Sequence, residues 1–174
     1  MTSMPSPPGR RILVAVVTGA VGKKIQAWRR KHDPRQAERL PPHATLCYWA
    51  PVVEAEILEQ QVRHAFPGRI SVSLGGVLVG DNDQETFYVE VLDSRALEKA
   101  HARLYDGAHV ALPHRNGWLW HVTCVRDSRG RDKQALMAAA QELHFNEDWT
   151  LDTISYMELS EDGRYQAVAT WRIG

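Results

Sequence analysis

Residues 43–50 read HATLCYWA, and residues 121–125 read HVTCV. In each, a histidine and a threonine stand two apart within a run of apolar, aromatic and β-branched residues, the composition of a buried or half-buried strand. Side chains two apart on a strand point to the same face, so each segment presents one imidazole beside one hydroxyl. The two histidines are separated by 78 positions (121 − 43), close to half of the 174-residue chain. One such pair is an ordinary strand feature. Two pairs at half-chain spacing predict a duplicated architecture with a site at the seam.

Two imidazoles and two hydroxyls suit displacement at a phosphorus centre. A base must take a proton from the incoming water or hydroxyl, and an acid must protonate the departing oxygen opposite. Histidine, with an ordinary pKa near 6.5, can fill either role at neutral pH. A threonine hydroxyl beside it can donate to a non-bridging oxygen, where charge accumulates. His43 and His121 are therefore the candidate catalytic residues, with Thr45 and Thr123 as substrate-binding donors. Arg126 is a natural phosphate clamp. Strict alternation from His121 would send it to the opposite face unless the strand ends or bulges there. Alternation also sets Cys47 and Trp49 on the face of His43 and Thr45, which makes a metal site of His43, Cys47 and His121 conceivable. Neither motif contains a carboxylate and no zinc-type spacing is present, so no metal is expected.

These residues resemble the two-histidine (2H) phosphoesterase superfamily, and more closely its bacterial 2′-5′ RNA ligase and cyclic phosphodiesterase branch. That pattern is His-x-Thr or Ser followed by a hydrophobic residue, occurring twice, and the chain matches it at 43–46 and 121–124. The second copy often continues to an arginine five residues after the histidine, the place Arg126 holds. Cys124 departs from the usual aliphatic residue. The resemblance implies hydrolysis of 2′,3′-cyclic phosphates at RNA ends or short oligonucleotides without metal or other cofactor. It also implies a 2′-phosphate product, His43 as acid and His121 as base, and weak reverse 2′-5′ ligation. A phosphodiesterase for small cyclic nucleotides or 2′-5′ oligoadenylates would share this core, and a non-catalytic RNA-end binder would share the fold. The expected partners are RNA ends, short oligonucleotides and cyclic nucleotides, met by a monomer.

Composition sets the broad class. Apolar residues make up 44% and charged residues 24%, as in ordinary globular domains, and the formal net charge is zero. A chain without a global basic field is not built to hold long duplex nucleic acid, so a nucleic-acid partner should be short or engaged at its end. Cys47 and Cys124 are the only cysteines, too few for a disulfide framework and compatible with a cytoplasmic protein. "RRILVAVVTGAVGKK" places basic residues before an apolar run, but the run is far short of the roughly 20 residues a membrane span needs. It has no Ala-x-Ala cleavage site and reads as a first strand. Its "TGAVGKK" lacks the phosphate-loop and dinucleotide spacings and reads as a tight turn.

Residues 1–10 are Pro- and Ser-rich and read as a disordered leader, with one domain of two intertwined lobes over 11–174. A strand at Arg11–Val17 leads to a helix at Val21–His32, then an irregular basic loop between Pro34 and Pro41-Pro42. After the first motif come a helix at Val53–Phe66, two strands around a turn at 81–84, and a helix from Ser94 to Tyr105. After the second come a helix at Ser128–Phe145 and strands at Thr150–Leu159 and Tyr165–Ile173. The order strand–helix–strand–strand after each His-x-Thr predicts an α+β fold. Two lobes related by a pseudo-twofold axis would form a central cleft from mainly antiparallel sheets, with helices on the outer faces. Arg29, Arg30, Lys31, Arg35 and Arg39 precede the first motif, as His114 and Arg115 precede the second, and could guide a polyanion. Trp49, Phe87, Tyr88, Trp118 and Tyr156 are candidate platforms for a base. His32, His64, His101, His109 and His144 show no partner pattern.

Overall fold

The first apolar run, Arg11–Val16, forms strand β1, with Ile12, Leu13, Val14 and Ala15 all buried. Both faces are covered, which is why apolar residues run without alternation. Leu13 and Ala15 enter the main core, while Ile12 and Val14 join a smaller cluster with Leu40 and Met157 on the other face. The computed structural model describes residues 8–81, 84–107, 109–113, 120–145 and 148–174. His114, Arg115, Trp118 and part of the turn expected at 81–84 lie outside them. So do residues 1–7 of the expected leader. Gly9 and Arg10, by contrast, exchange backbone hydrogen bonds with Leu159.

The chain continues as α1 (Gly19–His32), α2 (Pro34–Arg39), β2 (His43–Ala50), α3 (Ala55–Ala65), β3 (Ile70–Val79), β4 (Phe87–Leu92) and α4 (Arg95–Tyr105). Then come β5 (His121–Val125), α5 (Lys133–Ala140), β6 (Trp149–Leu151), β7 (Thr153–Leu159) and β8 (Tyr165–Arg172). The strands hydrogen-bond in the order β6-β3-β4-β5-β2-β1-β7-β8, every pairing antiparallel. β2 and β5, the two motif strands, are central neighbours. Around them β1 answers β4, and β7 answers β3. This is the α+β, pseudo-twofold arrangement that the repeated motif predicts.

Three elements differ from the sequence reading. The expected basic loop contains α2, because Pro34 occupies the first helical turn and Asp33 Oδ1 accepts from Gln36 N–H at 3.1 Å. Six residues are too few for a periodic signal. The helix expected over Ser128–Phe145 is confined to Lys133–Ala140, capped by Asp132 through Ala135 N–H at 3.0 Å. Ser128 is instead buried, its hydroxyl donating to Glu85 O at 2.8 Å, and Gly130 (φ +72°) turns the chain before the helix. The strand expected over Thr150–Leu159 breaks at Asp152 into β6, paired with β3, and β7, paired with β1. Strands one residue apart in sequence thus lie far apart in the sheet order, so the sheet curls until the chain itself bridges its two sides.

The helices α1, α3, α4 and α5 contribute Ile25 and Trp28, Leu58 and Val62, Leu97 and Leu104, and Leu136 to the main core. Gly22 decides how closely α1 approaches. A β-carbon there would sit 2.0 Å from the Val17 carbonyl oxygen, so "TGAVGKK" is a packing turn.

Candidate functional site

The seam of the sheet fixes the geometry of the site. Ala44 faces Val122 across the β2–β5 pair. In an antiparallel register, one step either way sets His43 opposite Thr123 and Thr45 opposite His121. The four residues form a square on one face, each imidazole across from the other strand's hydroxyl. The two histidines lie on its diagonal, for which sheet geometry gives about 7–8 Å. All four line one open cleft, together with Arg10, Gln36, Arg39, Leu40, Tyr48, Arg126 and Tyr165.

Both motif strands bulge just after the threonine. On β2, Thr45 pairs with Val14 and Cys47 with Leu13, so two steps on one strand answer one on the other. On β5, Thr123 pairs with Tyr88 and Val125 with Phe87, the same irregularity. A one-residue bulge reverses the alternation beyond it. Leu46 and Cys47 are consequently both buried in the core, as are Cys124 and Val125. Tyr48 and Arg126, each five residues after its histidine, return to the cleft. The expectation that Cys47 and Trp49 share the face of His43 is therefore corrected. Cys47 faces the core, the ligand set of His43, Cys47 and His121 is not assembled, and Trp49 is exposed beneath the Arg10 guanidinium. Burial pushes the Cys124 thiol up to about 12.

His43 is half-buried, and its Nδ1 lies 2.7 Å from the Pro41 carbonyl oxygen. A carbonyl can only accept, so Nδ1 carries the hydrogen and the Nε2 lone pair is left for the cleft. Burial lowers the pKa of His43 to about 4, the Pro41 carbonyl opposes the shift, and Arg29, His121 and Arg126 press it down further. His43 is thus neutral at pH 7. His121 packs edge-on against Tyr88, ring centroids 5.3 Å apart.

Arg126 is pinned through its backbone. Its N–H donates to Asp33 Oδ2 at 2.9 Å and its carbonyl accepts from Thr86 Oγ1 at 2.9 Å, while its side chain stands exposed at the rim. Asp33, which also caps α2, thereby locks that helix to the end of β5. Arg29 is fully buried and donates through Nη2 to Gln36 O and Leu40 O, both at 2.7 Å. This fixes the segment whose next carbonyl, at Pro41, holds His43.

Of the basic run before the first motif, only Arg39 lines the cleft; Arg30, Lys31 and Arg35 face outward. Among the aromatic candidates, Phe87 and Tyr156 are buried in the core, and Tyr88 stands against His121. Arg10, Tyr48 and Tyr165 escaped the sequence reading. Tyr48 alone carried a usable signal, the same offset from His43 that Arg126 has from His121.

Solved structures of other proteins share this architecture. In the Escherichia coli LigT structure complexed with 3′-AMP, 19% of residues are identical, with a TM-score of 0.58 over 96% of this chain and 99% of that one. The structure of TT0787 from Thermus thermophilus is 15% identical, with a TM-score of 0.59 over 94% and 97%. Usb1 from Kluyveromyces marxianus is 14% identical, with a TM-score of 0.51 over 95% and 99%. At these identities the likeness is one of fold. No curated protein matches the sequence. The 2′-5′ RNA ligase superfamily, however, matches residues 18–163, most of the chain and both motifs, and the protein belongs to that superfamily.

Proposed function

We propose that the protein hydrolyses 2′,3′-cyclic phosphate ends of RNA or short oligonucleotides to a phosphomonoester, the 2′-phosphate, without a metal ion, on a single domain of two intertwined halves. The observation that carries this reading is the square of His43, Thr45, His121 and Thr123 at the β2–β5 seam. A phosphoryl group at its centre has one imidazole available to the attacking water and the other to the leaving ribose oxygen. Thr45 and Thr123 donate to the non-bridging oxygens, and Arg126 clamps the anion from the rim. Before substrate binds, His43 is the base-competent partner, neutral with Nε2 directed to the cleft. To act as the acid, the role the resemblance implies, it must be raised by the charge of the bound phosphate. Reverse 2′-5′ ligation uses the same groups but must compete with water, and is expected to be weak.

The test is turnover of a 2′,3′-cyclic nucleotide in excess chelator, with the product isomer identified. His43→Ala and His121→Ala should each lower kcat by about 10²–10⁴. Near-normal turnover in either variant, or complete loss on chelation restored by zinc or magnesium, would sink the reading. A pure 3′-phosphate product would spare the acid–base pair and reverse the assignment of the leaving oxygen.

A further inference from the structure

The cleft carries more positive charge than the seam uses. Arg126 stands by the histidines, whereas Arg10 and Arg39 stand on the side of β1 and α2, and no carboxylate lines the cleft among the described residues. Arg10 donates through Nε and Nη2 to the Tyr48 carbonyl at 3.1 and 3.0 Å and lies over the Trp49 ring, 4.0 Å from its centroid. Arg39 projects from the last turn of α2 toward the Tyr165 ring at 5.7 Å. The aromatic face beside Arg39 holds its guanidinium in place without cancelling its charge. Among the described residues Arg39 and Arg126 form no salt bridge.

The cluster works against itself. The pKa of Arg10 is lowered, first by burial, with Arg126 and Arg39 acting in the same direction. Arg29, below the site, adds a fully buried guanidinium whose Nε and Nη1 have no hydrogen-bond partner among the described residues. Repulsion among cations fixed by the fold is relieved when an anion binds between them. A cyclic phosphodiester brings only one negative charge, which Arg126 and the seam already meet.

We propose that Arg10 and Arg39, with the Tyr165 hydroxyl, form a second phosphate subsite. The preferred substrates are then cyclic phosphates carrying a further phosphate, as a 5′-monoester or an internucleotide diester, rather than bare cyclic mononucleosides. This rests on the reading of the seam as a phosphoesterase site. The planar guanidinium fork suits either source of phosphate.

Binding and turnover test it separately. By calorimetry at fixed ionic strength, adenosine 2′,5′-bisphosphate should bind about 10- to 100-fold more tightly than adenosine 2′-monophosphate, the range of a few charge-assisted hydrogen bonds. Arg39→Gln should bring the ratio close to one, while Arg39→Lys, which keeps the charge, should retain most of it. In turnover, a 5′-phosphate on the cyclic mononucleotide, or one further nucleotide, should raise kcat/KM by a similar factor. A gain with the monoester or with the dinucleotide supports the subsite and identifies which phosphate it takes. A ratio near one in the unaltered protein, or one that survives in both Arg39→Gln and Arg10→Gln with the fold confirmed by circular dichroism, would overturn it. Selective bisphosphate binding without hydrolysis of any cyclic phosphate would leave the subsite standing and remove the proposed activity. Hydrolysis without bisphosphate selectivity would do the reverse.

Discussion

Tyr48 stands to His43 as Arg126 stands to His121, each five residues on, past a bulge that returns it to the cleft. The two halves therefore share more than the His-x-Thr pair. They share the irregularity that brings a third side chain to bear, and they differ in its chemistry. The guanidinium at 126 can clamp an anion, whereas the phenol at 48 offers one hydroxyl, and the positive charge on that side comes instead from Arg10 and Arg39.

Arg126→Ala should raise KM for a cyclic nucleotide about 10- to 100-fold, with a smaller effect on kcat, because it removes charge-assisted hydrogen bonds formed on binding. Arg126→Lys should restore part of the loss, as a point charge replaces a fork. Steady-state kinetics separate the two parameters, and an unchanged KM in the alanine variant would remove Arg126 from the site.

Thr45→Ala and Thr123→Ala should each cost less than loss of a histidine, about tenfold in kcat, the scale of one neutral donor to an anion. The double variant should fall short of the product of the singles if both hydroxyls bind the same phosphoryl group and act as a unit. A double-mutant cycle on kcat/KM reads this directly.

His43 should make the protein acid-sensitive in a defined window. Its pKa is lowered to about 4 in the folded state, against about 6.5 unfolded. Between these values the unfolded chain binds the extra proton, so stability falls as pH drops from about 6.5, and the loss is complete below about 4. The upper bound is on the order of 3 kcal/mol. Denaturant unfolding across pH 4–7 should show this slope, and His43→Asn should flatten it.

Gly22→Ala should destabilise the protein by about 3 kcal/mol, the upper end for overpacking, because the added carbon meets the backbone oxygen of Val17 at 2.0 Å and not a movable side chain. Thermal or urea denaturation measures the loss, and a drop of less than about 1 kcal/mol would mean that α1 can shift outward.

Cys124 should resist thiol reagents in the folded protein. It is buried, and its pKa is pushed up to about 12, so the reactive thiolate is scarce at neutral pH. Labelling should follow unfolding in a denaturant series, and prompt labelling of Cys124 in the native protein would contradict its placement.

The amino-acid sequence by itself determined the fold class and the placement of four candidate residues. His-x-Thr twice, each in β-prone surroundings, needs only the two-residue period of a strand to put His43 with Thr45 and His121 with Thr123. Short-range chemistry was legible wherever it repeats, as in α3 and α4. The same period failed for Cys47, Trp49 and Arg126, because a bulge depends on how a partner strand is met, and no local residue pattern in HATLCYWA announces it. α2 was hidden by its shortness, and the break at Asp152 by the curling of the whole sheet. Only the tertiary structure brought Arg10, Arg39 and Tyr165 to the cleft, since they come from the start, the first third and the end of the chain. Periodicity reports which way a side chain points from its own strand. What it meets there is set by contacts between segments far apart in sequence.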